Sequence, residues 1–275
     1  MNMNTPAETA ARFLAVGREK VLLPVGRMAC LAVMAGFFIG LAGVGASTAA
    51  ASVPPAAARL VSACVFPAGL VMVTLTGAEL FTGNCLLAIP WLSRAVTARQ
   101  VLRSWIVVYL GNFVGAVLAA AAAVYSHQLA SFSGALAASA MSTAVAKCSL
   151  SVSDAFLRGV VCNILVCVAV WLALSSRSVP GKVLGIYLPV MLFVVSGFEH
   201  SVANMYYVAV ALLAKDLPAY AGVLEGIDGS CLTWGRFLMG NLLPVTLGNM
   251  VGGLAVGIVQ WYCFLRGKTD RAEKK

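Results

Sequence analysis

The sequence predicts an all-α integral membrane protein with six transmembrane helices, arranged as two inverted three-helix repeats whose second and fifth helices are interrupted. Three observations carry that prediction. Of 275 residues, 61% are hydrophobic and only 11% are charged, less than half the roughly 25% charged share of soluble domains. Six stretches are each long and apolar enough to cross a bilayer, which takes about 20 residues. Two of those stretches carry the same polar interruption. A soluble enzyme or a nucleic-acid-binding domain of this composition would expose very large apolar patches, so both classes are excluded.

Residues 1–27 contain Glu8 and Glu19 and lack the compact apolar core of a signal peptide. Thr5 can cap a helix, Pro6 suits its first position, and Glu8 stands three residues after the cap. Ala10, Phe13, Leu14 and Val21 recur near helical spacing. A short amphipathic cytoplasmic helix lying on the membrane surface is expected. A six-span domain follows over 28–265. Its stretches run at about 28–50, 60–90, 102–125, 155–176, 183–213 and 239–265. The second and fifth are too long for one plain span. Val53-Pro54-Pro55 forms the first linker, and residues 126–154 read as a longer loop. A basic cytoplasmic tail occupies 266–275.

Lys and Arg placement sets orientation. With the N-terminus inside, the inner side holds 14 of the 19 basic residues. The outer side holds five: Arg59, Lys147, Arg158, Lys215 and Arg236. Both termini are therefore expected in the cytoplasm, and an even number of spans is consistent with that. The excess positive charge is thus topology rather than a nucleic-acid surface.

The interruption of the second stretch reads Gly77-Ala78-Glu79-Leu80-Phe81-Thr82-Gly83-Asn84. That of the fifth reads Gly197-Phe198-Glu199-His200-Ser201-Val202-Ala203-Asn204. Both fit Gly-x-Glu-x-x-x-x-Asn, 120 residues apart. A second echo follows in the same order, Leu110-Gly111-Asn112 and Leu247-Gly248-Asn249. The repeats are placed at about 28–125 and 155–265. Three spans per half force the second half to enter the membrane upside down, as in many transporters. Paired interrupted helices mark the transport site, and broken backbone at membrane depth must line a cavity or be buried in protein. The half-helix N-termini there suit an anion.

Glu79 and Glu199 are the carboxylates inside these stretches. A charge at the bilayer centre costs about 2.5–3.5 kcal/mol on insertion scales. Each is expected to accept hydrogen bonds from loop N–H groups of its own break. Gly77, Gly197, Glu79 and Asn84 read as structural residues of the breaks. His200 lies inside the second break, where it can donate a hydrogen bond or pass a proton. Thr82 is its approximate opposite, and Asn163, Asn204, Asn112 and Asn249 are hydrogen-bonding partners between helices. Lys147, in a small-residue segment before the fourth span, can concentrate anions at a pore mouth. The eight cysteines form no Cys-x-x-Cys pair and there are two histidines, so no metal site and no cofactor is expected.

These motifs, together with Ala146-Lys147 and Cys162-Asn163, resemble the formate/nitrite transporter family over about residues 5–266. The Gly-Phe-Glu-His-Ser-Val-Ala-Asn stretch is the most specific part of the likeness. The resemblance implies an aquaporin-like fold, a homopentamer with one pore per protomer, and an inner-membrane location. It implies a monovalent weak-acid substrate, formate or nitrite or hydrosulfide, with protons as a partner in transport. It implies that His200 is the central pore histidine, Thr82 the loop threonine and Lys147 the anion-attracting lysine. Glu199 and Asn163 would hold the polar groups in place. Phe66, Leu70 and Phe193 would form a cytoplasmic constriction; Leu80, Phe81 and Val166 would form a periplasmic one.

Two other classes make demands the sequence does not meet. An intramembrane hydrolase would use a Gly-x-Ser nucleophile, but Gly45-Ala46-Ser47 stands at a span end. An aquaporin-type neutral-solute channel would carry a duplicated Asn-Pro-Ala motif, which the sequence lacks.

Overall fold

The computed structural model describes residues 3–224 and 226–267, all of its named elements being helical. Residues 268–275, most of the expected basic tail, lie outside the described residues. Helix α1 spans Pro6–Leu22 and opens on the expected reciprocal cap between Thr5 and Glu8. Bonds from the Thr5 backbone N–H and hydroxyl hold the Glu8 carboxyl below the usual carboxylate range. The first span, α2, covers Val25–Ala51. The second is built in pieces, with α3 at Pro55–Val65 and α4 at Ala68–Thr76 either side of Pro67. After the break come α5 (Phe81–Asn84), a 3₁₀ turn and α6 (Ala88–Leu92). The third span is α7, Ala98–Tyr125.

Helix α8, Ala135–Cys148, leads into the second half. There α9 covers Val152–Ser175, α10 Val179–Ser196 and α11 Ser201–Ala214. A π-helical turn, Arg236–Leu242, runs into α12, Leu243–Phe264. The six predicted spans are all present. The expected 126–154 loop is not: α8 occupies its second half, and 14 residues are too few to register as a crossing.

Helices α2 and α7 pack side by side in one half as α9 and α12 do in the other. Glycine permits that closeness. A Cβ on Gly36 would overlap the carbonyl oxygen of Asn112, and one on Gly248 would overlap that of Phe156. Gly248→Leu should therefore cost about 1–3 kcal/mol by overpacking, visible as a lower thermal unfolding midpoint in detergent. An unchanged midpoint would show that the helices part freely.

The apolar stripe of α1 is spent differently from the expectation. Ala10, Phe13, Gly17 and Val21 are buried, and α1 packs on α6, α7, α9 and α12. Burial against protein satisfies the same amphipathic pattern that suggested a membrane surface.

Candidate functional site

Each broken span ends its first half on a glycine in the left-handed region, Gly77 at φ 74° and Gly197 at φ 73°. A side chain there would be strained, and the turn redirects the chain into a short extended loop. The half-helices then restart at Phe81 and Ser201.

An asparagine from a neighbouring span staples each loop. Asn112 Oδ1 accepts the Phe81 N–H at 2.9 Å, and its Nδ2 donates to the carbonyls of Ala32 and Glu79 at 2.8 and 2.9 Å. Asn249 does the same in the other half, for the Ser201 N–H and the carbonyls of Gly159 and Glu199, at 2.9, 2.8 and 2.9 Å. The Glu79 N–H donates to Leu31 and the Glu199 N–H to Arg158.

The buried carboxylates find cations, not loop amides. Lys20 Nζ lies 2.9 Å from Glu79 Oε1 and also donates to Asn84 Oδ1 at 3.2 Å; Asn84 Nδ2 donates to Glu79 Oε2 at 2.8 Å. Lys147 Nζ reaches both oxygens of Glu199, at 3.0 and 2.9 Å, and Asn204 Nδ2 donates to Oε2 at 2.6 Å. The expectation that loop N–H groups would hold these carboxylates is therefore corrected. Those amides are already committed to carbonyls and asparagines, while an ammonium offsets a full buried charge. Lys20 was counted in the sequence only for topology, and its role here was missed. Asn241, also missed, accepts from Asn204 at 2.8 Å and donates to the Lys147 carbonyl at 2.9 Å.

Two cavities approach the breaks from opposite ends. The near cavity, beside α1, has a volume of about 430 Å³ and is lined by Lys20, Leu70, Gly77, Glu79, Leu80 and Asn84 among others. The far cavity, about 630 Å³, is lined by Phe66, Lys147, Phe193, Gly197, Glu199, His200, Asn204 and Tyr207 among others. Between them lies a buried waist. His200 Nε2 and Thr82 Oγ1 stand 2.9 Å apart, joining the two half-helices across 118 residues of sequence. His200 Nδ1 accepts the Ala203 N–H at 3.1 Å. That bond places the proton of the neutral ring on Nε2, which donates to Thr82. The threonine hydroxyl keeps its own proton free for another acceptor. Asn163 Nδ2 donates to the Thr82 carbonyl at 3.2 Å and to the Asn249 carbonyl at 2.6 Å.

Aromatic rings line the far approach. Phe193 stacks on the His200 ring at 5.9 Å, and Phe66 meets Phe193 edge-on at 6.0 Å. Phe81 packs on Tyr109 at 4.9 Å, and Phe81 and Val166 are buried beside the waist.

The residues expected in the two constrictions are grouped differently by the cavities they line. Phe66 and Phe193 line the cavity that holds Lys147, whereas Leu70 and Leu80 line the one beside α1. Chain direction explains the grouping. The second span starts at the far end, so Phe66 lies farther out than Leu70. The fifth span starts at the near end, so Phe193 comes late and far.

Two inverted broken spans, meeting at a buried polar waist between opposed cavities, define a membrane channel or transporter of inverted-repeat type. The chain belongs to the formate/nitrite transporter family, whose model matches residues 7–262. It is 36% identical to a probable formate transporter of Methanothermobacter thermautotrophicus, over 96% of this chain and 98% of that protein. It is also 36% identical to the formate channel FocA of Escherichia coli strain K12, over 86% of each chain. Among solved structures, a pentameric formate channel with formate bound superposes with a TM-score of 0.80 at 35% identity, covering 88% of this chain and 98% of that one. Hydrolase and neutral-solute alternatives find no support in these relatives.

Proposed function

We propose that the chain is a channel for small monovalent weak-acid anions, formate foremost, with nitrite and hydrosulfide as further candidates. The observation that carries this is the Thr82–His200 pair, a buried polar contact that joins the two broken spans between the two cavities. The relatives named for formate favour that anion over the other two.

In this proposal Lys147 and the half-helix N-termini raise the anion concentration at the far mouth. Glu199, Asn204 and Asn163 hold the polar groups in register. The anion then enters the slit of Phe66 and Phe193, where a bare charge is costly. The Thr82 hydroxyl proton, aligned by the His200 Nε2–H, is the donor it meets. Leu70, Leu80, Phe81 and Val166 narrow the passage on the other side of that donor. Passage as the neutral acid avoids the charge cost altogether, so flux should rise as pH falls. Five such protomers assemble around an axis that carries no substrate, in the inner membrane with both termini cytoplasmic. The domain division at residues 27 and 265 is part of the same proposal.

Purified protein in liposomes, offered formate, nitrite and hydrosulfide at two pH values, tests it. Formate should pass fastest, and faster at the lower pH. No flux of any of the three would overturn the proposal. Lys147→Gln should raise the half-saturating formate concentration roughly fivefold, the effect of losing about 1 kcal/mol of charge attraction. A change in maximal flux alone would place Lys147 elsewhere in the mechanism.

A further inference from the structure

Charge is divided unequally between the two cavities. The near cavity sets Lys20 and Lys182 against Glu19 and Glu79, two cations against two carboxylates. The far cavity sets Arg59, Lys147 and Arg158 against Glu199 alone. Lys147 is engaged by Glu199. Arg59 and Arg158 make no ion pair among the described residues, and both are exposed. Both also stand at the break of the fifth span. An Arg59 guanidinium nitrogen lies 3.5 Å from where a Cβ on Gly197 would sit, and the Arg158 carbonyl accepts the Glu199 N–H at 3.3 Å. The Ser62 hydroxyl lines the same cavity.

One free cation suffices to attract a monovalent anion; two arginines lining one cavity suit an ion with two charges and several acceptor oxygens. Such an ion cannot continue inward. Phe66 and Phe193 narrow the cavity where it meets His200, with Phe193 stacked on the His200 ring, and the cost of dehydrating an ion grows with the square of its charge. We propose that the far cavity is a docking site for a divalent tetrahedral oxyanion such as sulfate, held by Arg59 and Arg158. The ion sits there without passing and hinders entry of monovalent anions from that side. The hindrance rests on the transport function proposed above, whereas the docking does not.

Two arms separate these. In the first, sulfate is titrated calorimetrically into the purified protein and into an Arg59→Gln/Arg158→Gln variant whose thermal midpoint matches the parent. Saturable binding, weakened roughly five- to tenfold in the variant as two exposed charge contacts are lost, is the expected result. No binding, or equal binding by the variant, would overturn the site, whatever the protein transports. In the second, formate flux is followed in liposomes with sulfate on one side at a time, sidedness being read from the accessibility of an N-terminal tag. Sulfate should slow flux only from the side opposite the tag, and less in the variant. Slowing from the tagged side alone would overturn the assignment to the far cavity. Failure of formate to pass at all would strike the transport function and leave the binding arm standing.

Discussion

His200→Ala should lower formate flux in proteoliposomes roughly 10- to 100-fold, because hydrogen bonds to charged groups contribute about 1.5–3 kcal/mol. The substitution removes the Nε2–H that aligns the Thr82 hydroxyl across the waist. It also removes the ring against which Phe193 stacks. Alanine further uncaps α11, since His200 Nδ1 accepts the Ala203 N–H, and a lost cap costs about 0.5–2 kcal/mol. His200→Asn separates the two effects. Asparagine is a good cap, yet its side chain is shorter than imidazole. Thermal stability should stay near that of the parent while flux remains low. Unchanged flux in His200→Ala at every pH would remove both the hydrogen-bonding and the proton-carrying versions of the mechanism.

Asn249→Leu should give the largest loss of stability. It leaves the Ser201 N–H and the carbonyls of Gly159 and Glu199 without the bonds they now have. A buried polar group left unsatisfied costs about 1–3 kcal/mol, so the total should exceed about 3 kcal/mol. Asn112→Leu should do the same in the other half, through Phe81, Ala32 and Glu79. Thermal unfolding in detergent, monitored for both variants, checks this. Equal and large drops are expected; a drop in only one would mean that the two staples are not equivalent.

The six spans and both breaks were legible because apolar length and the Gly-x-Glu-x-x-x-x-Asn echo are local signals. The left-handed turns at Gly77 and Gly197 give that echo its physical basis. Other features were less legible. The cations for Glu79 and Glu199 come from 59 and 52 residues upstream, beyond any motif window. The grouping of the constriction residues was obscured because Phe66 and Leu70 are one helical turn apart yet face different cavities. Helix α8 was hidden by its length: it is apolar enough to pass for a span fragment and too short to count as one. Which carbonyl each glycine between α2 and α7 meets depends on the fold and leaves no local pattern.

Lys20 and Lys147 share a placement that alters how the two halves should be delimited. Each occupies the last turn of a short helix, α1 or α8, and each such helix comes just before the first span of its half. The correspondence between halves therefore begins at about Pro6 and Ala135 rather than at the spans themselves. Each half is a four-part unit: a short helix with a cation, a span, a broken span with a carboxylate, and a span with an asparagine staple. Such a unit brings its own counter-ion into the bilayer, so duplicating and inverting it leaves neither buried carboxylate without a cation. Charge neutrality is inherited with the segment, and evolution by copying needs no later compensation at either carboxylate.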